Sequence, residues 1–534
     1  MHCNTFAETP ETGSLPAFTG TQNSIASLEY TKAKYIPSEW IPIMAAPTRT
    51  PSIARRTNAF RVRTTEASIA TTENTGGTLK RSLGRTDLIA MGVGTIIGAG
   101  IFVTTGIAAA TKAGPSIILS FVLAGAICVL VALCYSELAS MTPVSGSAYT
   151  YTYSTMGEVP AFLVGWNLLL EYAVAAAAVA IGWSGLFSAT LQSLFGITLP
   201  KAISSGPSDG GVVNLPAVII VGVIVAVLVF EVKIAAAVVK ALVALTIAVL
   251  ALVVAIGAPH VHPGNWEPFV PFGVNGIAAG AALAFFAYLG FDVVATSAEE
   301  TRNPRRDLPW GIIGSVVIAT ILYVAVSAIL TGVAPYSTLN NAAPVATALA
   351  AIGAGWIGKV ILVASVIALT KGLLMVFYGQ TRLVFAMARD GLVPKALCRT
   401  GSRGVPVRLS LVLGAVIAVV AGLLPIDTVA ELVNIGALFA FVIVALGVLI
   451  LRRTDPGRAR PFRTPLMPIV PLLAIAGCAW LATTFAPLTW LRFVIWSAVG
   501  VVLYLTYGRR HSVVGGGRAP ESATDEATVT GGAA

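Results

Sequence analysis

The sequence predicts an all-α polytopic membrane protein with twelve transmembrane helices, arranged as a five-plus-five inverted repeat with broken helices 1 and 6. Three observations predict this fold. Only 11% of the 534 residues are charged and 56% are hydrophobic, whereas about 25% of the residues of a soluble domain are charged. Twelve apolar stretches of roughly 18 to 30 residues could each cross a hydrocarbon core of about 30 Å. Two of these stretches are interrupted by glycine-rich segments.

The order of the apolar stretches predicts the repeat. The stretches are 87–110, 116–139, 160–189, 213–230, 234–257, 275–298, 310–333, 356–386, 406–424, 429–451, 466–485 and 490–508. With breaks near Ile97 and Leu289, the fifth and tenth stretches each end about 160 residues after the break in their own half. An odd number of helices per half gives the two halves opposite topology. The predicted regions are a disordered tail 1–78, repeats 79–258 and 259–452, two further spans in 453–510, and a disordered tail 511–534.

The distribution of basic residues predicts the orientation. One set of loops holds most of the lysines and arginines, whereas the opposite loops hold only Lys112, Lys201, Lys359 and Arg492. By the positive-inside rule, the rich side and both termini are cytoplasmic, and the plasma membrane is the expected location. The net charge of +10 is therefore a topology signal in a protein whose partner is the lipid bilayer, and it gives no reason to expect nucleic acid.

The cysteines and histidines do not indicate catalysis. The five cysteines are scattered along the chain, and the four histidines all lie outside the predicted spans. This pattern favours neither a disulfide framework nor a metal site, and no cofactor is expected. A membrane enzyme would need a cluster of nucleophile, base or metal ligands, and the sequence offers none.

The first interrupted stretch runs from Gly92 to Gly106 and contains five glycines in fifteen residues. One interpretation is a tight helix-packing face, because small residues at four-residue spacing are common in membrane helices. The other is a helix that unwinds around Gly98 so that its backbone can approach a ligand. In lipid, a broken helix needs something to bind or a cavity to line, because an unpaired backbone group costs several kcal/mol.

The backbone of such a break would suit a zwitterion. The amides of Ala99, Gly100 and Ile101 would open a half-helix whose positive end attracts an anion. The carbonyls of Ile96 and Ile97 would close the preceding half-helix and attract a cation. An L-α-amino acid is the smallest common ligand with this charge pattern.

The second interrupted stretch, Phe285 to Asp292, reads FFAYLGFD. It supplies further carbonyls and several aromatic rings. Asp292 is a candidate for coupling or gating, because a carboxylate at membrane depth costs at least about 2.5 kcal/mol. A pair of breaks in corresponding halves points to the binding site of a secondary transporter.

These residues resemble the amino acid–polyamine–organocation permeases, and within them the cationic amino-acid transporter branch. The resemblance extends from Leu83 to about residue 485 and rests on the motifs LGRTDLIAMGVGTIIGAGIFV, PVSGSAYTYTY, GWNLLLEY, FFAYLGFDVVATSAEETRNPRRDLP and YGQTRLVFAMARDGLVP. It implies the inverted-repeat fold and a carboxylate site at Gly98, Ala99 and Gly100. It also implies ammonium contacts at Ile97 and at the carbonyls of Phe286 and Leu289, and an aromatic gate at Phe286. Met375 and Gly372 would line the side-chain pocket.

One departure from the family concerns a lysine. In proton-coupled bacterial relatives a lysine on the fifth helix occupies the place where sodium-coupled relatives bind an ion, and the resemblance aligns that lysine with Thr246. Lys371 stands on the eighth helix where a second hydroxyl is expected. We hypothesise that Lys371 supplies the missing ammonium and that Glu171 is its acidic partner. A neutral buried lysine, or an error in helix register, is the alternative.

A charged cluster follows the second break, formed by Glu299, Glu300, Arg302, Asn303, Arg305 and Arg306. It is interpreted either as a capped helix end with topology charges or as a gating salt bridge.

Together these features predict a secondary transporter that moves cationic or small neutral L-amino acids by alternating access, with protons as the coupling ion. A sodium-independent facilitator or exchanger is the first alternative. A non-transporting amino-acid sensor is the alternative from a different class, although a sensor more often carries a folded soluble domain.

Overall fold

The computed structural model describes residues 81–230, 236–394 and 407–513. The predicted tail 1–78 and residues 514–534 of the second tail lie outside the described residues. Within the described ranges the secondary structure is helical, and pairing between extended segments is limited to one isolated bridge between Leu83 and Thr301. The all-α class is therefore confirmed.

We number the helices of at least eight residues in chain order. They are α1 (Arg85–Ile96), α2 (Ile117–Met141), α3 (Ser147–Thr155), α4 (Glu158–Phe195), α5 (Leu215–Val229), α6 (Ala236–Gly257), α7 (Gly273–Phe285), α8 (Pro304–Val333), α9 (Pro344–Ala351), α10 (Gly355–Arg389), α11 (Val407–Leu423), α12 (Ile426–Thr454), α13 (Ile469–Ala482) and α14 (Pro487–Leu503). Shorter α-helices are Thr105–Ala108, Lys201–Ser204, Val293–Thr296 and Arg509–His511.

Eight helical stretches of the described chain are long and apolar enough to cross a membrane. They are Arg85–Met141, Glu158–Phe195, Val238–His260, Gly273–Thr296, Pro304–Val333, Gly355–Arg389, Thr428–Thr454 and Pro487–His511. Three shorter apolar helices, α5, α11 and α13, fall where the sequence predicts further spans. The first stretch of 57 residues covers two predicted spans, and its backbone turns at Gly114, where φ is +64°. The count of twelve crossings remains a prediction.

The helices that surround the two breaks form the centre of the structure. Helix α8 packs along both α1 and α2, and α4 packs along both α10 and α12. Buried rings fill the space between α2, α8 and the second break: the centroid of the Tyr323 ring lies 5.4 Å from that of Phe121 and 5.3 Å from that of Tyr288. These contacts hold the broken segments between long continuous helices.

The described part of the chain extends past the predicted start of the second tail, residue 511. The Ser512 hydroxyl donates to the Glu158 carboxylate at the start of α4, at 2.7 Å. The Val513 amide donates to the Asp390 carbonyl after α10, at 3.1 Å. The prediction of disorder from residue 511 is therefore wrong for residues 511–513, because a polar composition does not reveal these long-range hydrogen bonds.

Candidate functional site

The first break lies where the sequence predicts it. Helix α1 ends at Ile96, and Ile97 is extended, with φ −76° and ψ 100°. A helical stretch begins again with the π-helical turn Gly100–Thr104. Ile97, Gly98 and Ala99 therefore separate two helical segments inside one apolar stretch.

The second break also lies where the sequence predicts it. Helix α7 is followed by the 3-10 turn Phe286–Tyr288, and Leu289 is extended, with φ −63° and ψ 143°. Gly290 has a φ of +108°, a conformation that side chains rarely tolerate. A short helix, Val293–Thr296, follows.

The two breaks touch each other. A Cβ atom on Gly100 would lie 2.3 Å from the Cα of Ala287, and one on Gly290 would lie 2.5 Å from Cγ2 of Thr95. The backbone of each break therefore packs against the other at a distance that only glycine permits.

One hydroxyl serves both breaks. The Tyr323 hydroxyl, from α8, lies 2.9 Å from the carbonyl oxygen of Ile96 and 2.9 Å from that of Ala287. Tyr323 is fully buried. Tyr323 is not among the residues predicted for the site from the sequence. The available signal was a tyrosine in the middle of an apolar span, since a buried hydroxyl in the membrane needs a polar partner.

The glycines of the first break divide between the two proposed interpretations. A Cβ on Gly92, Gly94, Gly100 or Gly106 would come within 2.7 Å of a neighbouring atom, so these four positions are required for packing. A Cβ on Gly98 would meet nothing within 4 Å, although Gly98 is buried. Gly98 therefore faces unfilled space inside the protein.

That space is a cavity between the two breaks, α4 and α10. Its lining residues are Thr95, Ile96, Gly98, Ala99, Gly100, Glu171, Tyr172, Ala175, Val179, Phe286, Leu289, Gly290, Val293 and Val376. The structure thus brings together six of the residues predicted for the site: Gly98, Ala99, Gly100, Glu171, Phe286 and Leu289.

The other predicted site residues lie around this cavity. Ile97 and Ile101 are fully buried and do not line it. Met375, predicted for the wall, is half-buried and is not among the lining residues, whereas the next residue on α10, Val376, lines the cavity. Successive residues of an α-helix point about 100° apart, so a register error of one residue selects the wrong side chain.

Two carboxyl groups are buried near the cavity. Glu171 lines it, is 1% exposed, and has an Oε2 atom without a hydrogen-bond partner among the described residues. Asp292, just after the second break, is fully buried and accepts a hydrogen bond from the Tyr172 hydroxyl. Its Oδ1 atom also lacks a partner within the described ranges. Tyr172 follows Glu171 on α4, so the same helix turn lines the cavity and contacts the Asp292 carboxyl group.

Lys371 does not pair with Glu171, and the predicted ion pair is wrong. The lysine is 4% exposed, and its Nζ has no hydrogen-bond partner in the described part of the chain. Its side chain extends instead to the last turns of α1, where a Cβ placed on Gly94 would lie 3.6 Å from Nζ of Lys371. The same Cβ would lie 2.7 Å from Cγ2 of Val243, so α6 also contacts α1 at this point. The sequence of a helix does not determine how far it is shifted along its neighbours, so the residues that surround Lys371 could not be predicted.

Thr246 lies on the same side of α6 as Val243, three residues later. It is 3% exposed, and its hydroxyl donates to the Leu242 carbonyl at 2.7 Å. The Lys371 amine and this face of α6 are therefore both directed at α1, just before its break.

The charged cluster after the second break pairs mainly with α10. Glu300 accepts hydrogen bonds from the Tyr378 hydroxyl at 2.5 Å and from Arg382 at 2.7 Å. Glu299 lies 3.7 Å from the guanidinium of Arg389. Asn303 precedes α8 without a capping hydrogen bond from its side chain. The contacts connect two elements, as the gating interpretation expects, and a role in gating remains a hypothesis.

Comparison with known proteins gives consistent matches. A family model described as "Amino acid permease" matches residues 83–507. The chain is 44% identical over 461 residues to the branched-chain amino acid permease BcaP of Bacillus subtilis (strain 168), which covers 85% of this chain and 98% of that protein. It is 43% identical over 439 residues to a methylthioribose transporter of the same organism, covering 82% and 95% of the two chains. It is 36% identical over 385 residues to the vacuolar cationic amino acid transporter 4 of Arabidopsis thaliana, covering 71% and 64%.

Proposed function

Because the chain belongs to the amino acid permease family, whose members are transporters and not enzymes, we propose that it is a secondary transporter that moves L-amino acids across the plasma membrane by alternating access. The observation that carries the proposal is the cavity between two broken helices, where Gly98 is buried and faces unfilled space. In a membrane, irregular backbone of this kind is tolerated where it lines a cavity.

The backbone would bind what all α-amino acids share. The carboxylate is held by the amides of Gly98 to Ile101, at the positive end of the helical stretch that begins at Gly100. The ammonium group is held by the carbonyls of Ile97, Phe286 and Leu289. The Phe286 ring, which borders the cavity, acts as the gate.

The wider architecture of the proposal is the five-plus-five inverted repeat. The first repeat is 79–258 and the second is 259–452, followed by two additional spans in 453–510, with both termini in the cytoplasm. Eight helical stretches of the described chain are long and apolar enough to cross a membrane, and the two breaks fall in the first apolar stretch of each proposed repeat, which supports this arrangement.

The cavity wall favours aliphatic side chains. Beyond the two breaks it consists mainly of Ala175, Val179 and Val376, and Glu171 is its acidic member. Apolar walls with a few polar groups are typical of small-molecule sites. Relatives are named for branched-chain and for cationic amino acids, so we place neutral aliphatic amino acids first. A basic side chain is the second substrate class, and it would be received by Oε2 of Glu171, which has no hydrogen-bond partner among the described residues.

Coupling is assigned to protons and to four buried polar residues: Glu171, Thr246, Asp292 and Lys371. Lys371 lies beside the last turns of α1 without a hydrogen-bond partner among the described residues. Its protonation would add a positive charge next to the carbonyl end of a broken helix, where a cation is favoured. Facilitated diffusion or exchange without sodium is the alternative, because an unpaired lysine could also act as a fixed cation.

Uptake by reconstituted protein tests this proposal. Labelled leucine, alanine and arginine are supplied to proteoliposomes with and without an inward proton gradient, in sodium and in choline buffers, with protein-free liposomes as the control. Accumulation driven by the gradient in both buffers supports proton-coupled transport. Equal uptake with and without the gradient leaves exchange or facilitated diffusion. No uptake of any of the three rejects the assignment.

A further inference from the structure

Asn434 on α12 donates a hydrogen bond to the helix that precedes the second break. Its side chain is fully buried, and its amide nitrogen lies 2.8 Å from the carbonyl oxygen of Ala282, near the end of α7. Its Oδ1 atom has no hydrogen-bond partner within the described ranges. A buried amide costs free energy unless it is hydrogen-bonded, so the contact with Ala282 is the interaction that accounts for this asparagine in a largely apolar helix.

The Ala282 carbonyl needs a new partner because α7 ends here. In a continuous α-helix this carbonyl would accept from the amide of Phe286, four residues later. The Phe286 amide instead donates to carbonyls nearer in sequence, including that of Leu283, as the chain enters the 3-10 turn Phe286–Tyr288. Asn434 therefore supplies the donor that the backbone no longer provides where the turn begins.

The other side of this turn is held by Tyr323. Its hydroxyl, from α8, lies 2.9 Å from the Ala287 carbonyl oxygen, whereas Asn434, from α12, donates to Ala282. Phe286, which borders the cavity, lies between these two carbonyls in the sequence. Two side chains from different helices therefore fix the backbone before and after Phe286.

Helix α12 also packs against the second break through an aromatic ring. Phe441 lies seven residues after Asn434, on the same helix face. The centroid of the Phe441 ring is 5.9 Å from that of Phe285 and 5.0 Å from that of Phe291, one residue on each side of the break. Of these contacts, the Asn434 amide is the polar and directional one, so it determines which carbonyl of α7 faces α12.

We propose that Asn434 is a positioning residue for the Phe286 gate. The inference rests on the proposed transport of amino acids, in which the Phe286 ring closes over the bound substrate, and it adds α12 to the parts that control the gate. The hydrogen bond fixes the residue at which α7 ends, and therefore the direction from which the Phe286 ring enters the cavity. Asn434 is not among the residues that line the cavity, so it acts through the ring and not by touching the substrate.

Asn434→Leu tests this role, because leucine keeps the branched shape of asparagine and has no donor. Asn167→Leu is the matched control: Asn167 is also fully buried, and its amide donates to the Leu163 carbonyl at 2.9 Å within the continuous helix α4. Both variants are made in the parent and in Phe286→Leu, which lacks the ring. Two quantities are measured in detergent: the Kd for leucine and the hydrogen–deuterium exchange rate of amides 286–289.

We expect Asn434→Leu to raise the Kd for leucine about 5- to 150-fold, the range for leaving a buried carbonyl without its donor, and to speed exchange in the turn. Asn167→Leu should change neither quantity. In Phe286→Leu, the Asn434 substitution should not raise the Kd further. An unchanged Kd in the parent, or the same increase with and without the ring, overturns the inference.

Two further outcomes are covered by the same measurements. If Asn434→Leu does not fold, Asn434→Ala takes its place with the same expected results. A parent protein that binds no leucine, alanine or arginine overturns the proposed function, and the exchange rates then test the positioning alone. Faster exchange of amides 286–289 in Asn434→Leu than in Asn167→Leu supports it, and equal rates overturn it.

Discussion

Removing the Tyr323 hydroxyl is expected to destabilise the backbone conformation of both helix breaks at once. In Tyr323→Phe, the ring contacts with Phe121 and Tyr288 are kept, and the change is confined to one oxygen atom. That oxygen lies 2.9 Å from the carbonyls of Ile96 and Ala287, one in each break. Both carbonyls lie at interrupted helix ends, where intrahelical partners are missing.

The magnitude follows from the buried carbonyls left without a donor. The hydroxyl has one proton, which two acceptors share, and leaving a buried polar group unsatisfied costs about 1–3 kcal/mol. The expected loss is therefore about 1–3 kcal/mol in the free energy of the folded, binding-competent arrangement. A difference of this size corresponds to about a 5- to 150-fold change in an equilibrium constant. We expect the Kd for leucine to rise within that range.

Tyr288→Phe is the control, because it removes the same atom from the same aromatic cluster. The Tyr288 hydroxyl donates to the Phe121 carbonyl at 2.8 Å, and that carbonyl lies within the continuous helix α2. The loss of stability should be about 0.5–1.5 kcal/mol, the net contribution of one hydrogen bond, and leucine binding should be unaffected. Leucine binding and thermal unfolding of the purified protein in detergent measure both effects. If Tyr323→Phe binds leucine as tightly as Tyr288→Phe does, the hydroxyl does not organise the breaks.

The other predictions concern the cavity, the lysine and the charged cluster. Gly98→Ala should fold normally but lose at least about tenfold in leucine affinity. Gly100→Ala should lower thermal stability, because its methyl group would lie 2.3 Å from the backbone of Ala287. Size-exclusion profiles and leucine binding distinguish the two outcomes. Lys371→Met should raise thermal stability by about 1 kcal/mol or more while abolishing accumulation driven by a proton gradient; unchanged accumulation would exclude the lysine from coupling. Glu300→Gln removes the charged partner of Arg382 and should speed release of the amino acid to the cytoplasmic side about two- to fivefold. Exchange in inside-out vesicles measures this rate, and an unaltered rate would mean that the ion pair is only a structural contact.

The sequence was sufficient to locate the two breaks, because glycine clusters in apolar spans are local signals. The extended residues Ile97 and Leu289 lie where the break positions were predicted. Local patterning also located the helices, whose ends deviate by a few residues from the predicted spans.

Contacts between distant residues could not be derived in the same way. The predicted pairing of Lys371 with Glu171 required a helix arrangement that the structure does not have. Met375 was predicted for the cavity wall, and the residue that lines it, Val376, is one position further along the helix. Tyr323 was overlooked because its importance depends on two carbonyls from separate parts of the chain. Each of these errors concerns the three-dimensional placement of a side chain, which composition and periodicity do not determine.

The contact between the two breaks makes them one mechanical unit. Gly100 abuts Ala287, and Gly290 abuts Thr95, so neither segment can shift by an ångström without displacing the other. In the proposed transporter, engineering that aims to change recognition of the carboxylate alone would therefore also disturb recognition of the ammonium group. Mutations on opposite sides of this contact should show strongly non-additive effects, as expected for residues in direct contact. A redesigned specificity is better sought in α4 and α10, which border the site without belonging to this unit.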